Sequence, residues 1–416
     1  MGKLALTGGK PVTKDLLGGA KLPRRRDLER KYLLQVHEGV WDHWPGVKSM
    51  AARFEKEWAA FNDSKFAALV TNGTHAIQLA LEALDIGCGD EVIVPGLTWQ
   101  ATASAVCDVN AVPVLVDVDA ETLCIDPALA EAAITPRTRA IIPVHLYHRM
   151  AEMDKLLRIA RRHGLHVIED CAHTHGSRWH KRGAGTLGVF GCHSFQMSKL
   201  ITSGEGGGLL MQDEDLYWKV QSLRVCGREA KEGIKAHSGN FRATSLQAAL
   251  LRAQLSAFRR NAPRIDRNGL ALDQAVAAAP GVKPLRRSRH ISRQCGYCFA
   301  FLYEKEQFDG LEAATFRKAL SAELGVPFGT TYTPLHHSEV YYPHTKKRHR
   351  LSRAYVRAIT PSRWKLPICE ELWRGRAVLS GWHIYACPPS RARLLTDAIA
   401  RIHDNRGELL SLPKES

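Results

Sequence analysis

A chain of 416 residues with 45% hydrophobic side chains can bury a large core or hold two domains, and no apolar run approaches the about 20 residues needed to cross a bilayer. Its balance is basic, 58 Lys+Arg against 42 Asp+Glu for a net +16, but the basic residues are scattered, their clusters at 21–26, 286–293 and 346–350 are short, and no base-reading module is visible. This argues for solvated surface over a nucleic-acid interface. The start Met1-Gly2-Lys3-Leu4-Ala5-Leu6 has too little apolar sequence for a signal peptide, and Leu6 stands where a myristoylation signal needs Ser or Thr, so a cytoplasmic protein is expected.

The first 24 residues lie in a Gly-, Pro- and Lys-rich stretch and read as an arm. A helix is expected over 28–39, then a turn at 41–46 carrying Trp41 and Trp44. A second helix is expected over 48–61, where Met50, Phe54, Trp58 and Phe61 recur at three- to four-residue spacing. Strands and helices then alternate. Strands are expected over 66–70, 91–95, 112–117, 139–144 and 166–170. Helices are expected over 76–84, from about 98, and over 153–163. The run 189–195 reads as a short buried strand and 209–211 as the next, with Lys199 on a bend between them that the glycines Gly204, Gly206, Gly207 and Gly208 tighten.

This alternation predicts a mainly parallel sheet covered on both faces, an arrangement in which ligands bind at the carboxyl ends of the strands. Past Asn240 the pattern changes to α+β. A helix is expected over 244–258, another over 264–279, a strand near 297–303 and a helix over 311–324. The expected organisation is an arm at 1–24, a large domain at 25–262 and a small C-terminal domain at 263–416.

Most of the ten cysteines sit in apolar runs, as Cys107, Cys124, Cys171 and Cys192 do, where cysteine acts as a small hydrophobe. The pair Cys295-Gly296-Tyr297-Cys298 leads into a strand pattern, with no second pair or histidines at ligand spacing, so no metal site is expected.

Four features fall at strand ends. Thr71-Asn72-Gly73-Thr74-His75 opens a helix, whose free N–H groups suit a phosphate, although Asn or Thr there also serves as a plain N-cap. Trp99 follows a strand and could lie flat on a planar ring, or simply pack. Asp170 ends a buried strand, where a carboxylate needs a cationic partner such as a pyridinium nitrogen. Lys199 is held from both sides, and a partly desolvated lysine has the lowered proton affinity that Schiff-base chemistry requires. A lysine with an aspartate for the ring nitrogen is the signature of a pyridoxal 5'-phosphate (PLP) site.

The motifs Asn72-Gly73-Thr74-His75-Ala76, Glu169-Asp170-Cys171-Ala172-His173, Ser194-Phe195-Gln196 with Lys199, Gly204-Glu205-Gly206-Gly207 and Gly239-Asn240-Phe241-Arg242 together resemble the sugar and cyclitol aminotransferases of the DegT/DnrJ/EryC/StrS type. The resemblance runs from about Gly8 to about Arg401. It implies the PLP-dependent transferase fold type I: an α/β fold with a mostly parallel seven-stranded sheet, helices on both faces and a smaller α+β C-terminal domain. Within the family, Pro95-Gly96-Leu97-Thr98-Trp99 and the stretch 341–349 are similar to glutamine:scyllo-inosose and 2-deoxy-scyllo-inosose aminotransferases, which serve aminoglycoside assembly.

Carried over by motif, the resemblance makes Lys199 the Schiff-base lysine and pairs Asp170 with the pyridinium nitrogen. It sets His173 near the ring or its phenolate oxygen, stacks Trp99 on the ring, and gives the phosphate to Gly73, Thr74 and Ser194. It also implies a homodimer in which Asn240 reaches the phosphate of the partner subunit. The implied reaction is a ping-pong transamination from an amino donor, with L-glutamine foremost, to a keto-cyclitol. Keto-sugar nucleotides are the alternative acceptors, and a non-transaminating enzyme such as an aminohydroxybenzoate synthase is the alternative class. Dehydratases of this group replace the lysine with histidine, which Lys199 argues against.

Three segments depart from the pattern. His148 stands where a small residue is expected, Ala243-Thr244-Ser245 lacks the usual Met and acidic residue, and the stretch 378–385 replaces a Pro-His-containing ending.

Overall fold

The computed structural model describes residues 3–39 and 49–412. The expected turn at 41–46 and Lys48, the first residue expected in the second helix, lie outside the described residues. Among the described residues, the α-helices α1 (Arg26–His37) and α2 (Met50–Asn62) come before the sheet. Ser49 caps α2 by accepting the Ala52 N–H, and Phe54, Trp58 and Phe61 fall on its buried face, as their spacing predicts.

The alternating units are β1 (Phe66–Val70), α3 (Gly73–Ala83), β2 (Glu91–Pro95), α4 (Ala101–Asp108), β3 (Val112–Val116), α5 (Pro127–Ala132), β4 (Thr138–Ile141), α6 (Met153–His163) and β5 (His166–Asp170). Two short strands, β6 (Arg178–Trp179) and β7 (Arg182–Gly183), lead to β8 (Phe190–Ser194), β9 (Gly207–Met211) and α7 (Glu214–Arg224). The main sheet has seven strands in the order β1-β9-β8-β5-β4-β2-β3, and β9 alone runs antiparallel to its neighbours. This is the mostly parallel sheet of fold type I.

Its strands are buried on both faces. In β1, Ala68 and Val70 join one core with α3, α4 and α6, while Ala67 and Leu69 join another with α2 and the C-terminal third of the chain. Alternation along the pleat divides the two faces, and helices cover both.

The expected helices 244–258 and 264–279 are one continuous helix, α8 (Ser245–Ala277), with Pro263 inside it. Proline removes a backbone donor and crowds the preceding turn, which is why a break is expected there. Packing overrides it: Phe258, Ala262 and Ile265 are buried against the second core, and the Asn261 side chain donates to the Pro23 carbonyl. The boundary expected at 262 therefore falls within this helix.

Beyond α8 lie β10 (Val282–Pro284), β11 (Ile291–Arg293), β12 (Cys298–Tyr303), α9 (Ala313–Leu324), α10 (Arg353–Ile359), α11 (Pro367–Glu371), β13 (Ala377–Gly381), α12 (Pro389–Asp404) and α13 (Arg406–Leu410). β10, β12 and β13 form a three-stranded antiparallel sheet, and β11 pairs with β6 in a second small sheet. The N-terminal stretch is anchored: Leu4 and Leu16 are buried, and Glu323 of α9 accepts the Ala5 and Val12 N–H groups. Among the described residues, no helix is long and apolar enough to cross a membrane.

Candidate active site

The end of β1 turns directly into α3. Asn72 is its N-cap in extended conformation; its Oδ1 accepts the His75 N–H at 2.8 Å, and its carbonyl accepts the Ala76 N–H. The Gly73 and Thr74 N–H groups have no acceptor among the described residues, so the positive end of the helix stays open to an anion. Glycine is needed here for space. A Cβ on Gly73 would come 2.9 Å from the Ser194 Cβ at the end of β8, and one on Gly207 would overlap the Asn72 carbonyl. The helix start and the two strand ends thus converge with Ser194 beside the free N–H groups.

Lys199 lies on the bend from β8 to β9. The Phe195 N–H donates to the Gly206 carbonyl at 2.7 Å, the Ser203 N–H to the Phe195 carbonyl at 3.1 Å, and Phe195 itself is buried beneath. The Lys199 Nζ sits 4.2 Å from the centroid of the Tyr297 ring. Burial draws its ammonium down to about 8, although the nearby Asp170 works in the opposite direction.

Asp170 ends β5 and is buried. Its Oδ1 accepts the Ala172 N–H at 3.1 Å and its Oδ2 the Thr102 hydroxyl at 2.9 Å. Burial pushes its carboxyl above the usual carboxylate range, against these donors and Lys199. His173 accepts the Tyr147 N–H at Nδ1, 3.2 Å away, so its proton is assigned to Nε2, 3.3 Å from the Tyr332 hydroxyl. Its ring stacks on Tyr297 at 4.4 Å, and burial lowers its proton affinity well below that of a free imidazole, leaving it neutral.

These groups line one cavity of about 660 Å³. It brings together Gly73, Thr74, Trp99, Asp170, His173, Ser194 and Lys199. Trp99 stands at the rim, 50% exposed, with its ring 5.8 Å from that of Tyr332. Asn240 is not in the lining: it is exposed, bridged to Val225, and its Oδ1 accepts the Arg242 N–H at 3.2 Å.

Sequence reasoning missed Thr102, Tyr297 and Tyr332. Thr102 sits one helical turn after Trp99 and could have been found from that spacing. Tyr297 and Tyr332 reach the cavity from the C-terminal third, and no local pattern marks them. Cys295 and Cys298 are free thiols, Cys295 is buried, and neither belongs to a group of potential metal ligands among the described residues.

The residues present fit PLP: an open helix start beside a serine for a phosphate, a buried carboxylate for a ring nitrogen, and a lysine of lowered proton affinity in the same cavity. Fold and cavity together define a PLP-dependent enzyme of fold type I, and the family match makes it an aminotransferase. The chain belongs to the DegT/DnrJ/EryC1/StrS aminotransferase family, which matches residues 25–377. It is 38% identical to the L-glutamine:2-deoxy-scyllo-inosose aminotransferase of Streptoalloteichus tenebrarius, over 98% of this chain and 99% of that protein. It is 37% identical to the putative L-glutamine:3-amino-2,3-dideoxy-scyllo-inosose aminotransferase of Micromonospora echinospora, over 98% of each. Among solved structures, DesV of S. venezuelae superposes with a TM-score of 0.75 at 31% identity, over 92% of this chain and 99% of that one. The 3-amino-5-hydroxybenzoic acid synthase superposes with a TM-score of 0.76 at 29% identity, over 93% and 99%.

Proposed function

We propose that this aminotransferase moves the α-amino group of L-glutamine to a keto-cyclitol such as scyllo-inosose or 2-deoxy-scyllo-inosose, in a biosynthesis of aminoglycoside type. The observation that carries this reading is the near full-length similarity to aminotransferases named for that donor and for such acceptors. The cavity supports it: Thr98, Gln196 and Ser198 offer neutral hydrogen-bonding groups, Glu205 is a carboxylate, and among the described residues no arginine lines the wall. Such a lining suits a polyhydroxylated ring better than an anionic sugar nucleotide.

In this reading the Gly73 and Thr74 N–H groups and the Ser194 hydroxyl hold the phosphate, and Trp99 covers the ring face. Bound PLP supplies the electron sink for the carbanion at the carbon that carries the amino group. Asp170, fixed by Thr102 and the Ala172 N–H, holds a proton on the ring nitrogen by its negative charge. Lys199 anchors the cofactor, and its amine takes the proton from the donor α-carbon and delivers one to the acceptor ring carbon. His173 packs beside the ring as a neutral imidazole. One cavity serves both substrates, so the keto acid leaves before the cyclitol enters.

The same reading makes the protein a cytoplasmic homodimer in which Asn240 of the partner subunit completes the phosphate site. It divides the chain into an arm at 1–24, a large domain at 25–262 and a small domain at 263–416, joined through α8.

The test is a panel of keto-cyclitols and keto-sugar nucleotides offered with L-glutamine. Turnover with cyclitols and little with nucleotides is expected. The opposite preference overturns the assignment.

A further inference from the structure

We propose that Tyr332 selects the amino acceptor by donating a hydrogen bond from its hydroxyl to a ring hydroxyl of that acceptor, and that Tyr147 is the positioning residue that holds it in place. The inference rests on the proposed function, which supplies a polyhydroxylated ring as substrate.

Hydrogen-bond polarity sets the role of each group. A backbone N–H can only donate, and that of Tyr147 is directed at His173 Nδ1, 3.2 Å away. Nδ1 is therefore the acceptor nitrogen, and Nε2 carries the proton. Nε2 lies 3.3 Å from the Tyr332 oxygen, so His173 donates and Tyr332 accepts. The hydrogen of the Tyr332 hydroxyl then has no acceptor among the described residues, and Tyr332 lines the cavity. Burial raises its phenol well above the ordinary value, so the group remains a donor across the working pH range.

Tyr147 fixes this arrangement from two sides. Its hydroxyl accepts the Tyr332 N–H at 3.0 Å and pairs with the Thr331 hydroxyl at 2.7 Å, while its own N–H holds His173. It does so from a left-handed backbone conformation, φ 56°, that side chains other than glycine seldom adopt. One buried residue after β4 thus ties the catalytic-side histidine to the loop beyond α9.

The ligand atom follows from the chemistry. The keto oxygen of the acceptor is lost in the reaction and cannot be held through to the product, whereas a ring hydroxyl can. The donor carboxylate enters the same cavity, and measuring the two half-reactions separately distinguishes it from a ring hydroxyl as the partner of Tyr332.

The experiment measures the two half-reactions of the holoenzyme separately, by cofactor absorbance, for wild type, Tyr332→Phe and Tyr147→Phe. In Tyr332→Phe the L-glutamine half-reaction should stay within about twofold of wild type. The half-saturating concentration of 2-deoxy-scyllo-inosose should rise about tenfold, with a limiting rate within a few-fold, as expected for one lost hydrogen bond in a shielded site. Tyr147→Phe keeps the N–H to His173 and should shift the same parameter in the same direction by less. One ring-deoxygenated acceptor should be bound alike by wild type and Tyr332→Phe, a result that a purely structural role would not give. An unchanged acceptor half-saturation in Tyr332→Phe, or equal losses in both halves, overturns the proposal. If wild type refuses cyclitols and accepts another polyhydroxylated ketone, the cyclitol assignment fails by itself, and the same comparison with that ketone decides the role of Tyr332. Absence of any acceptor overturns both.

Discussion

Lys199 faces two opposed influences, burial that favours its neutral amine and a nearby carboxylate that favours its ammonium, and burial wins. The free amine prevails above about 8, and below it each pH unit removes about nine-tenths of the reactive form. The rate at which apoenzyme captures PLP should therefore climb about tenfold per unit up to pH 8 and then level off. Stopped-flow absorbance checks this, and a rise that continues toward 10, as for an ordinary lysine, contradicts it. In the proposed role Asp170 acts by charge, so Asp170→Asn should fold normally, keep its Thr102 contact, and lose on the order of several kcal/mol of transition-state stabilisation. Comparing kcat/KM with thermal unfolding separates the two effects. Lys199 and Asp170 were legible in the sequence because each is chemically out of place, a cation between apolar runs and an anion ending a buried strand. Tyr297 and Tyr332 were not, because an aromatic residue in a C-terminal strand or loop looks like core until the fold sets it against His173.

The β1–α3 unit shows how a local pattern becomes a site. The apolar run, the capping Asn72 and the following glycine were readable as strand, cap and helix, and the strand bounds match. What the sequence could not show is that Gly73 is glycine because Ser194, distant in the chain, occupies the space of its missing side chain. Gly73→Ala should push the helix start from the end of β8 and raise the dissociation constant for PLP about tenfold or more, while apoenzyme stability falls by about 1–3 kcal/mol, the usual range for overpacking. Equilibrium titration and thermal melts read the two quantities. Gly296 meets the chain at 147–148 in the same way: a Cβ there would overlap the Cβ and Cα of His148 and the Tyr147 carbonyl, whatever side chain residue 148 carried, while the His148 ring itself packs 5.3 Å from that of Phe299. Helix α8 shows the reverse, a strong local signal at Pro263 overruled by packing along its whole length.

At the scale of the whole molecule, strand alternation gave the parallel sheet and its ligand-binding edge, but composition could not show that the N-terminal stretch packs against α9 and α12 through Leu4 and Leu16. Asn240 is exposed, away from the cavity, and bonded to the Arg242 N–H, as an ordinary turn residue would be. The proposed shared-site dimer gives it a second role, and predicts complementation. Lys199→Ala and Asn240→Ala should each be nearly inactive. Their mixed dimer has one site carrying both lesions and one carrying neither, so subunit exchange should restore about a quarter of wild-type activity in an equal mixture with random exchange, since half of the dimers then hold one intact site. No recovery after proven exchange would place Asn240 within its own subunit's chemistry.

An amino group that passes from glutamine to a carbocyclic ketone through this cavity carries its nitrogen with it. The direct measurement is to supply the holoenzyme with L-glutamine labelled with ¹⁵N at the α-amino position and with 2-deoxy-scyllo-inosose, and to follow the label by mass spectrometry and NMR. The expected result is ¹⁵N bonded to the former keto carbon of the ring. Label found only in ammonia or in unreacted glutamine, with no aminated ring, would contradict it.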